Sequence, residues 1–273
     1  MGIGGRSIRR VKLYACGCCK NNLGIVFRGH PTDKRTFPAL VVLLEHEKLG
    51  RILYDTGYSE LVYKNGFVST IYNTLNKTYI TENEIIDNRL RSDGIDPEDV
   101  SNIILSHAHP DHIGALRRFS DYNLISTKEV FDKLNSGKKL SLTFRNMVPQ
   151  GNYTEKVLKP VDDKGIFGKY FKEVYDVLGD GSVVGVRLDG HAEGQLGIYL
   201  PEYKLFFAAD SCWGEDLLFE VPKMRPLPRK IQNNYQKYKE TALALMNFMS
   251  DHKDIKVIFS HGAMEEKTYE QQA

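Results

Sequence analysis

The sequence predicts an α+β protein built as a four-layer αββα sandwich, in which two β-sheets pack face to face and helices cover their outer sides. Two observations carry that expectation. Strand-like apolar runs form two groups, in residues 7–54 and 183–209, and each group is followed by segments with helical spacing. Four apolar runs also stop abruptly at a residue able to hold a metal ion, as strands do when one sheet edge builds a site. The 273 residues suffice for one large core. The expectation is therefore a single domain over residues 1–273, with insertions near 59–80 and 135–179.

Ser7 to Ala15 alternates as a first strand that Gly17 should end. Asn22 to Arg28, the nearly all-apolar Ala39 to Glu45, and Arg51 to Tyr54 continue as a meander. Ser59 to Asn76 is aromatic-rich at roughly helical intervals and predicts one or two helices or a helical lid. Thr81 and Glu84 form a capping-box pattern opening a helix to Asp93, closed by Gly94. Ile103 to Ser106 is a buried strand, Ile113 to Arg118 starts a helix, Asn123 to Ser126 is a strand, and Thr127 caps a helix to Leu134. From Asn135 to Gly179 the periodicity is poor, and Lys138-Lys139, Pro149 and Pro160 punctuate an excursion over the core. Gly179 to Ser182 signals a hairpin before strands at Val183 to Leu188, Leu196 to Leu200 and Lys204 to Ala209. Lys230 to His252 reads as an amphipathic helix, and Ile255 to Phe259 as the last buried strand.

The chemistry is concentrated in Ile-Ile-Leu-Ser-His-Ala-His-Pro-Asp-His, residues 103–112. Three imidazoles and a carboxylate packed this tightly cannot be buried without partners. A turn stiffened by Pro110 lets His107, His109, Asp111 and His112 converge on a divalent cation. The same design recurs where Gly190-His191, Asp210 and His261 follow apolar runs. Those seven donors exceed the needs of one tetrahedral ion and suit two. None is a cysteine, so imidazole and carboxylate would bind Zn, Fe, Mn or Co. The remaining histidines, His30, His46 and His252, read as surface residues.

The ordered series Asp55-Thr-Gly, HxHxDH at residues 107–112, Gly190-His191, Asp210 and Ser260-His261 resembles the metallo-β-lactamase superfamily over most of the chain. The resemblance implies an αββα sandwich with metals at one edge between the sheets. It implies His107, His109 and His191 on one metal, Asp111, His112 and His261 on a second, Asp210 bridging them, and Asp55 supporting the site from behind. Gly190-His-Ala-Glu-Gly-Gln195 and Asp210 are similar to the N-acyl homoserine lactone lactonase and glyoxalase II branches. Class B β-lactamases commonly place Cys or His where Asp210 stands, which argues against antibiotic hydrolysis. Flavodiiron oxidoreductases carry Glu where His109 stands. The lactonases' carbonyl-polarising tyrosine is replaced here by Ser211-Cys212-Trp213, which leaves that role unassigned.

The expected function is dinuclear metal-dependent hydrolysis of a lactone, ester or thioester, with zinc favoured over iron or manganese. A metal-bridging hydroxide is the expected nucleophile, since no Gly-x-Ser-x-Gly elbow is present. Asp111 or Asp210 would pass a proton to the leaving group. Phe67, Tyr72, Phe144 and Trp213 are candidates to line an acyl pocket, with an ordinary core role as the plainer explanation. The alternatives are a phosphodiesterase or nuclease using the same ions, and a non-hydrolytic metal-binding redox protein, to which Cys16, Cys18 and Cys19 give a weak pointer.

A net charge of +2 in short, scattered basic pieces gives no case for nucleic acid or an anionic membrane, and the partner expected is a small-molecule substrate. No apolar run approaches a membrane span, and the N-terminal heptapeptide reads as neither a secretory leader nor a myristoylation site, so a cytoplasmic setting is expected.

Overall fold

The computed structural model of the protein describes residues 7–136, 142–263 and 265–270. Residues 1–6 and the Lys138-Lys139 pair lie outside them. The first strand, β1 (Ile8–Asn22), runs through Gly17 instead of stopping there. Gly17 lies at φ +81°, and the pairing slips between Ala15 and Cys18, so the glycine makes a bulge and not an end. Asn22 to Arg28 is not a strand. It holds one helical turn, α1 (Leu23–Val26), because the Asn22 side chain accepts a hydrogen bond from the Gly24 amide at 2.9 Å. β2 (Lys34–His46) and β3 (Gly50–Tyr54) complete the antiparallel meander.

The aromatic-rich segment becomes α2 (Gly66–Asn76), followed by the two-residue β4 (Thr78–Tyr79). The Thr81–Glu84 capping box forms, but on a 3-10 turn; the α-helix proper, α3 (Ile86–Ser92), is shorter than the spacing suggests. Next come β5 (Val100–Ile104), α4 (Pro110–Ile113), β6 (Tyr122–Ser126) and α5 (Lys128–Asn135). Thr127 does not cap α5 with its side chain. Its hydroxyl donates instead to the Gly194 carbonyl at 2.8 Å, tying this strand end to the turn that carries His191. The poorly periodic stretch contributes β7 (Tyr153–Val157) and β8 (Val174–Asp176), an edge strand for each sheet. β9 (Val184–Arg187), β10 (Leu196–Leu200) and β11 (Leu205–Phe207) follow, then α6 (Pro226–Arg229). α7 (Tyr235–Asp251) starts later than Lys230 because Asn234 accepts from the Lys237 amide as its N-cap. β12 (Lys256–Ile258) and β13 (Thr268–Glu270) end the described chain.

One sheet has the order β13-β1-β2-β3-β5-β6-β7, with β4 also paired to β1; the other runs β12-β11-β10-β9-β8. Between them lies a buried layer that includes Val42, Ile52, Ile104, Ile198 and Phe207. Burying each such side chain contributes about 1.5–3 kcal/mol. The Tyr54 hydroxyl crosses this layer to donate to the Leu196 carbonyl at 2.7 Å. A second apolar layer joins the outer face of the large sheet to α3 and α5, and a third joins the small sheet to α7. These three apolar layers join the four expected ones: helices, large sheet, small sheet and helix. The parallel run β3-β5-β6 brings the C-terminal ends of its strands to one edge, where β5 leads straight into the histidine-rich turn.

His46 departs from its expected surface position. It is 4% exposed, and its Nδ1 accepts from the Lys48 and Leu49 amides, which leaves Nε2–H to donate to the Asp180 carboxylate at 2.9 Å. His30 and His252 are half-buried. Among the described residues no helix is long and apolar enough to cross a membrane.

Candidate metal centre

The structure brings all seven sequence-predicted donors to one edge of the sandwich. Two groups form, His107 with His109 and His191, and Asp111 with His112, Asp210 and His261, and within each the donor atoms lie within 4.8 Å of one another. Asp210 sits between them: one carboxylate oxygen is 3.0 Å from His261 Nε2 and 3.3 Å from His191 Nε2, and the other is 3.2 Å from His112 Nε2. All seven side chains are buried except His109, which is half-buried.

Local chemistry aims the rings. The His107 Nδ1 faces the Ser106 hydroxyl at 3.0 Å, and that hydroxyl donates to Asp55. The His112 Nδ1 faces the Asp55 carboxylate at 2.7 Å, that of His191 the Gln232 side-chain oxygen at 2.8 Å, and that of His261 the Pro38 carbonyl at 2.7 Å. Each partner accepts, so each Nδ1 carries a proton and each Nε2 is the nitrogen turned to the cluster, where a proton or a cation can occupy it. Asp55 also accepts from the Ser106 amide at 2.8 Å, which places it behind the cluster and not within it.

The strand ends are held in unusual backbone. Asp55 lies at φ +61° and Ala209 at φ +47°, left-handed conformations that non-glycine residues rarely adopt. Both redirect the chain where β3 and β11 stop, and so set the places of Asp55 and Asp210. The turn after Asp55 is clamped to α4, with the Gly114 amide 3.0 Å from the Gly57 carbonyl and the Thr56 amide 2.8 Å from the His112 carbonyl. A Cβ on Gly114 would stand 2.4 Å from that same Gly57 oxygen, so only glycine permits the approach.

Burial, reinforced by neighbouring imidazoles, pushes His107 well below the usual imidazole range, and burial with the nearby His191 takes His109 down to about 3. These rings are neutral and free to act as bases. Burial opposes ionisation of Asp111 and Asp210, but His112 and His261 outweigh it and hold both carboxyls well below the carboxylate range. Burial would likewise lower His261, yet the charges of Asp210 and Asp111 raise it to about 10. The second group therefore favours positive charge, as protons or as a cation.

The donor set fits metal ions. His107 Nε2 and His191 Nε2 lie 3.0 and 2.9 Å from the same His109 Nδ1, and no single proton can satisfy three such nitrogens. His112 Nε2 and one Asp210 oxygen are buried without a hydrogen bond. Unpaired buried polar atoms of this kind are costly, and a cation satisfies them together.

Of the candidate pocket aromatics, Tyr72 and Trp213 line an apolar cavity of about 380 Å³ that opens on the cluster. Phe144 is fully buried in the core edge-on to Tyr72, and Phe67 is 75% exposed and off the cavity wall. Sequence reasoning missed Ser106 and Gln232. Ser106 adjoins His107 and could have been suspected, whereas nothing local marks Gln232, which lies 41 positions from the ring it orients.

All four cysteines are free, and among the described residues none belongs to a metal-competent group. Burial pushes the thiols of Cys16, Cys19 and Cys212 up, that of Cys212 to about 12. At pH 7.5 a thiol reagent should therefore label at most the half-buried Cys18 in the native protein, and all four cysteines in guanidinium; rapid native labelling of more than one would contradict this burial.

Two face-to-face sheets with a histidine–carboxylate cluster at their common edge define a metal-site protein of the αββα class. Residues 35–248 match the Metallo-beta-lactamase superfamily, and the chain belongs to that superfamily. It is 38% identical over 82 residues to N-acyl homoserine lactonase AiiB of Agrobacterium fabrum, a match covering 29% of each chain. It is 27% identical over 135 residues to N-acyl homoserine lactonase AttM of Rhizobium radiobacter, covering 47% of each chain. The matched stretches thus span less than half the length of these relatives. Among solved structures, an N-acyl homoserine lactone hydrolase with N-hexanoyl-L-homoserine at its catalytic metal centre superposes with a TM-score of 0.70 at 20% identity, covering 94% of each chain. AidC, a dizinc quorum-quenching lactonase in complex with its product, gives a TM-score of 0.63 at 14% identity over 98% of each chain. At these identities the structural likeness concerns the fold.

Proposed function

We propose that the protein is a dinuclear metal-dependent hydrolase of carbonyl substrates, and that its substrate is a lactone, ester or thioester with an apolar acyl part. The observation that carries this reading is the pair of adjoining metal-competent groups opening on a cavity walled by aliphatic and aromatic side chains. His107, His109 and His191 would hold one divalent ion, Asp111, His112 and His261 a second, and Asp210 both, with zinc favoured over iron or manganese. Such ions, when bound, supply a hydroxide at neutral pH and polarise the carbonyl.

The chain's own groups do the rest. Asp55, Gln232, Ser106 and the Pro38 carbonyl keep the imidazole lone pairs turned inward. Asp111 lines the cavity and is held ionised, so its carboxylate can take a proton from attacking water and deliver it to the leaving alkoxide or thiolate. Val68, Ile71 and Leu75 of α2, with Ile25, Leu227 and Ile231, offer an aliphatic wall for an acyl chain. Apart from the histidines of the cluster, Lys230 is the one lysine or arginine among the described residues lining that cavity, which suits a neutral acyl compound better than a polyanion. Four free thiols support a cytoplasmic setting.

The test is a panel of lactones, thioesters, alkyl esters, amides and phosphodiesters, run with the protein loaded in turn with Zn, Mn and Fe. Hydrolysis of acyl substrates, lost together with bound metal in His109→Ala, is the expected result. Turnover of phosphodiesters alone, or full activity in His109→Ala, would overturn the reading.

A further inference from the structure

We propose that the paired hydroxyls of Tyr58 and Tyr72 donate the hydrogen bond that holds the substrate's carbonyl oxygen as it gains negative charge. The proposal rests on the hydrolase reading above and assigns a role that the metal cluster leaves open.

The two hydroxyl oxygens are 2.9 Å apart, and they bring together segments with different anchors. Tyr58 is 1% exposed and follows directly on the turn that positions Asp55; its amide donates to the Cys16 carbonyl at 3.1 Å. Tyr72 comes from α2, with its ring edge-on to the fully buried Phe144 at 5.3 Å between centroids. Both tyrosines line the apolar cavity together with Asp111 and Asp210. They are the only hydroxyl-bearing side chains among the described residues that line it.

Hydroxyl counting gives the pair its function. Two O–H groups share one hydrogen bond, so the pair retains a second proton to donate. Asp111, Asp210 and the Cys19 sulfur on the cavity wall compete for that proton, and a substrate carbonyl brought against the cluster supplies a further acceptor beside the pair. A donor fixed in a dry site before the reaction stabilises developing charge far better than water does. Burial and the Asp111 charge also keep both phenols well above their usual range, so they hold their protons throughout and act as donors, not acids. The packing of Tyr58 and the α2 anchorage of Tyr72 supply the rigidity that such a donor needs.

The experiment compares wild type, Tyr72→Phe, Tyr58→Phe and the double variant, all zinc-loaded, on an N-acyl homoserine lactone and its thiolactone. Metal content and thermal midpoint are measured on the same samples. Tyr72→Phe should lower kcat by roughly 100-fold, the loss typical of one oxyanion donor, with KM nearly unchanged. The loss should be equal on the two substrates, which share the carbonyl but differ in leaving atom, and the pH profile should keep its shape. Because the hydroxyls act as a unit, the double variant should be little worse than the worse single variant. Retention of kcat within about threefold in both single variants, a ratio worth under 1 kcal/mol, would overturn the proposal. So would losses that follow metal content or thermal midpoint. A wild type silent on every acyl substrate would instead overturn the hydrolase reading itself, and this proposal with it.

Discussion

Asp210→Asn should abolish turnover and strip metal while leaving the sandwich folded. The substitution keeps the side chain's shape but replaces one carboxylate oxygen with an amide nitrogen, which faces either His112 or the pair His261 and His191, all within 3.3 Å of the carboxylate. Those rings turn Nε2 to the cluster because their other nitrogens are already committed to Asp55, Gln232 and the Pro38 carbonyl. An amide N–H can pair with one of them, but it carries no charge to hold a cation between the two groups. With Asp111 then the sole carboxylate of the cluster, we expect retained metal to fall below that of wild type at equal zinc. Acyl hydrolysis should fall by roughly a thousandfold or more, about 4 kcal/mol in the barrier. Metal analysis by mass spectrometry and a lactone assay check both outcomes. A variant retaining the wild-type metal content and rate would remove Asp210 from the centre.

Gly190→Ala should have the largest effect on stability. Gly190 lies at φ +131°, and a Cβ there would stand 2.3 Å from both the backbone nitrogen and the Cα of Tyr238 in α7. Backbone cannot swing aside as a flexible side chain can. The carbonyls of Gly190 and His191 also accept from the Asn234 and Asn233 amides, at 2.9 and 3.0 Å, so the turn and the start of α7 are one unit. Overpacking together with left-side backbone strain should cost about 3 kcal/mol or more. In a chain of this size that corresponds to a thermal midpoint lower by roughly 6–12 °C. Because the same turn carries His191, the first metal group should lose affinity as well. An unchanged midpoint in calorimetry would show that the turn at Gly190 and the start of α7 have room for a methyl group.

Much of the candidate site was legible because its signals are local. His107, His109, Asp111 and His112 stand within six positions, and each distant donor comes within four positions of the end of a short strand, β9, β11 or β12. Other expectations failed where tertiary contacts overrode local preference. Gly17 reads as a strand end, yet β2 pairs on both sides of it and turns it into a bulge. Thr127 reads as a cap, yet the Gly194 carbonyl takes its hydroxyl. His46 reads as exposed because nothing near it in sequence shows that Asp180, 134 positions away, will come within 2.9 Å.

By itself the sequence determined the four-layer class, the run of strands whose ends carry the donors, and the chemical type of those donors, since periodicity and residue identity act over a few positions. Only the tertiary structure decided which imidazole nitrogen faces inward, where Asp210 lies between the two groups, and that the hydroxyls of Tyr58 and Tyr72 meet. The reason is physical. A ring's orientation is set by a hydrogen bond to whatever group packing brings against it, and that group can stand anywhere in the chain.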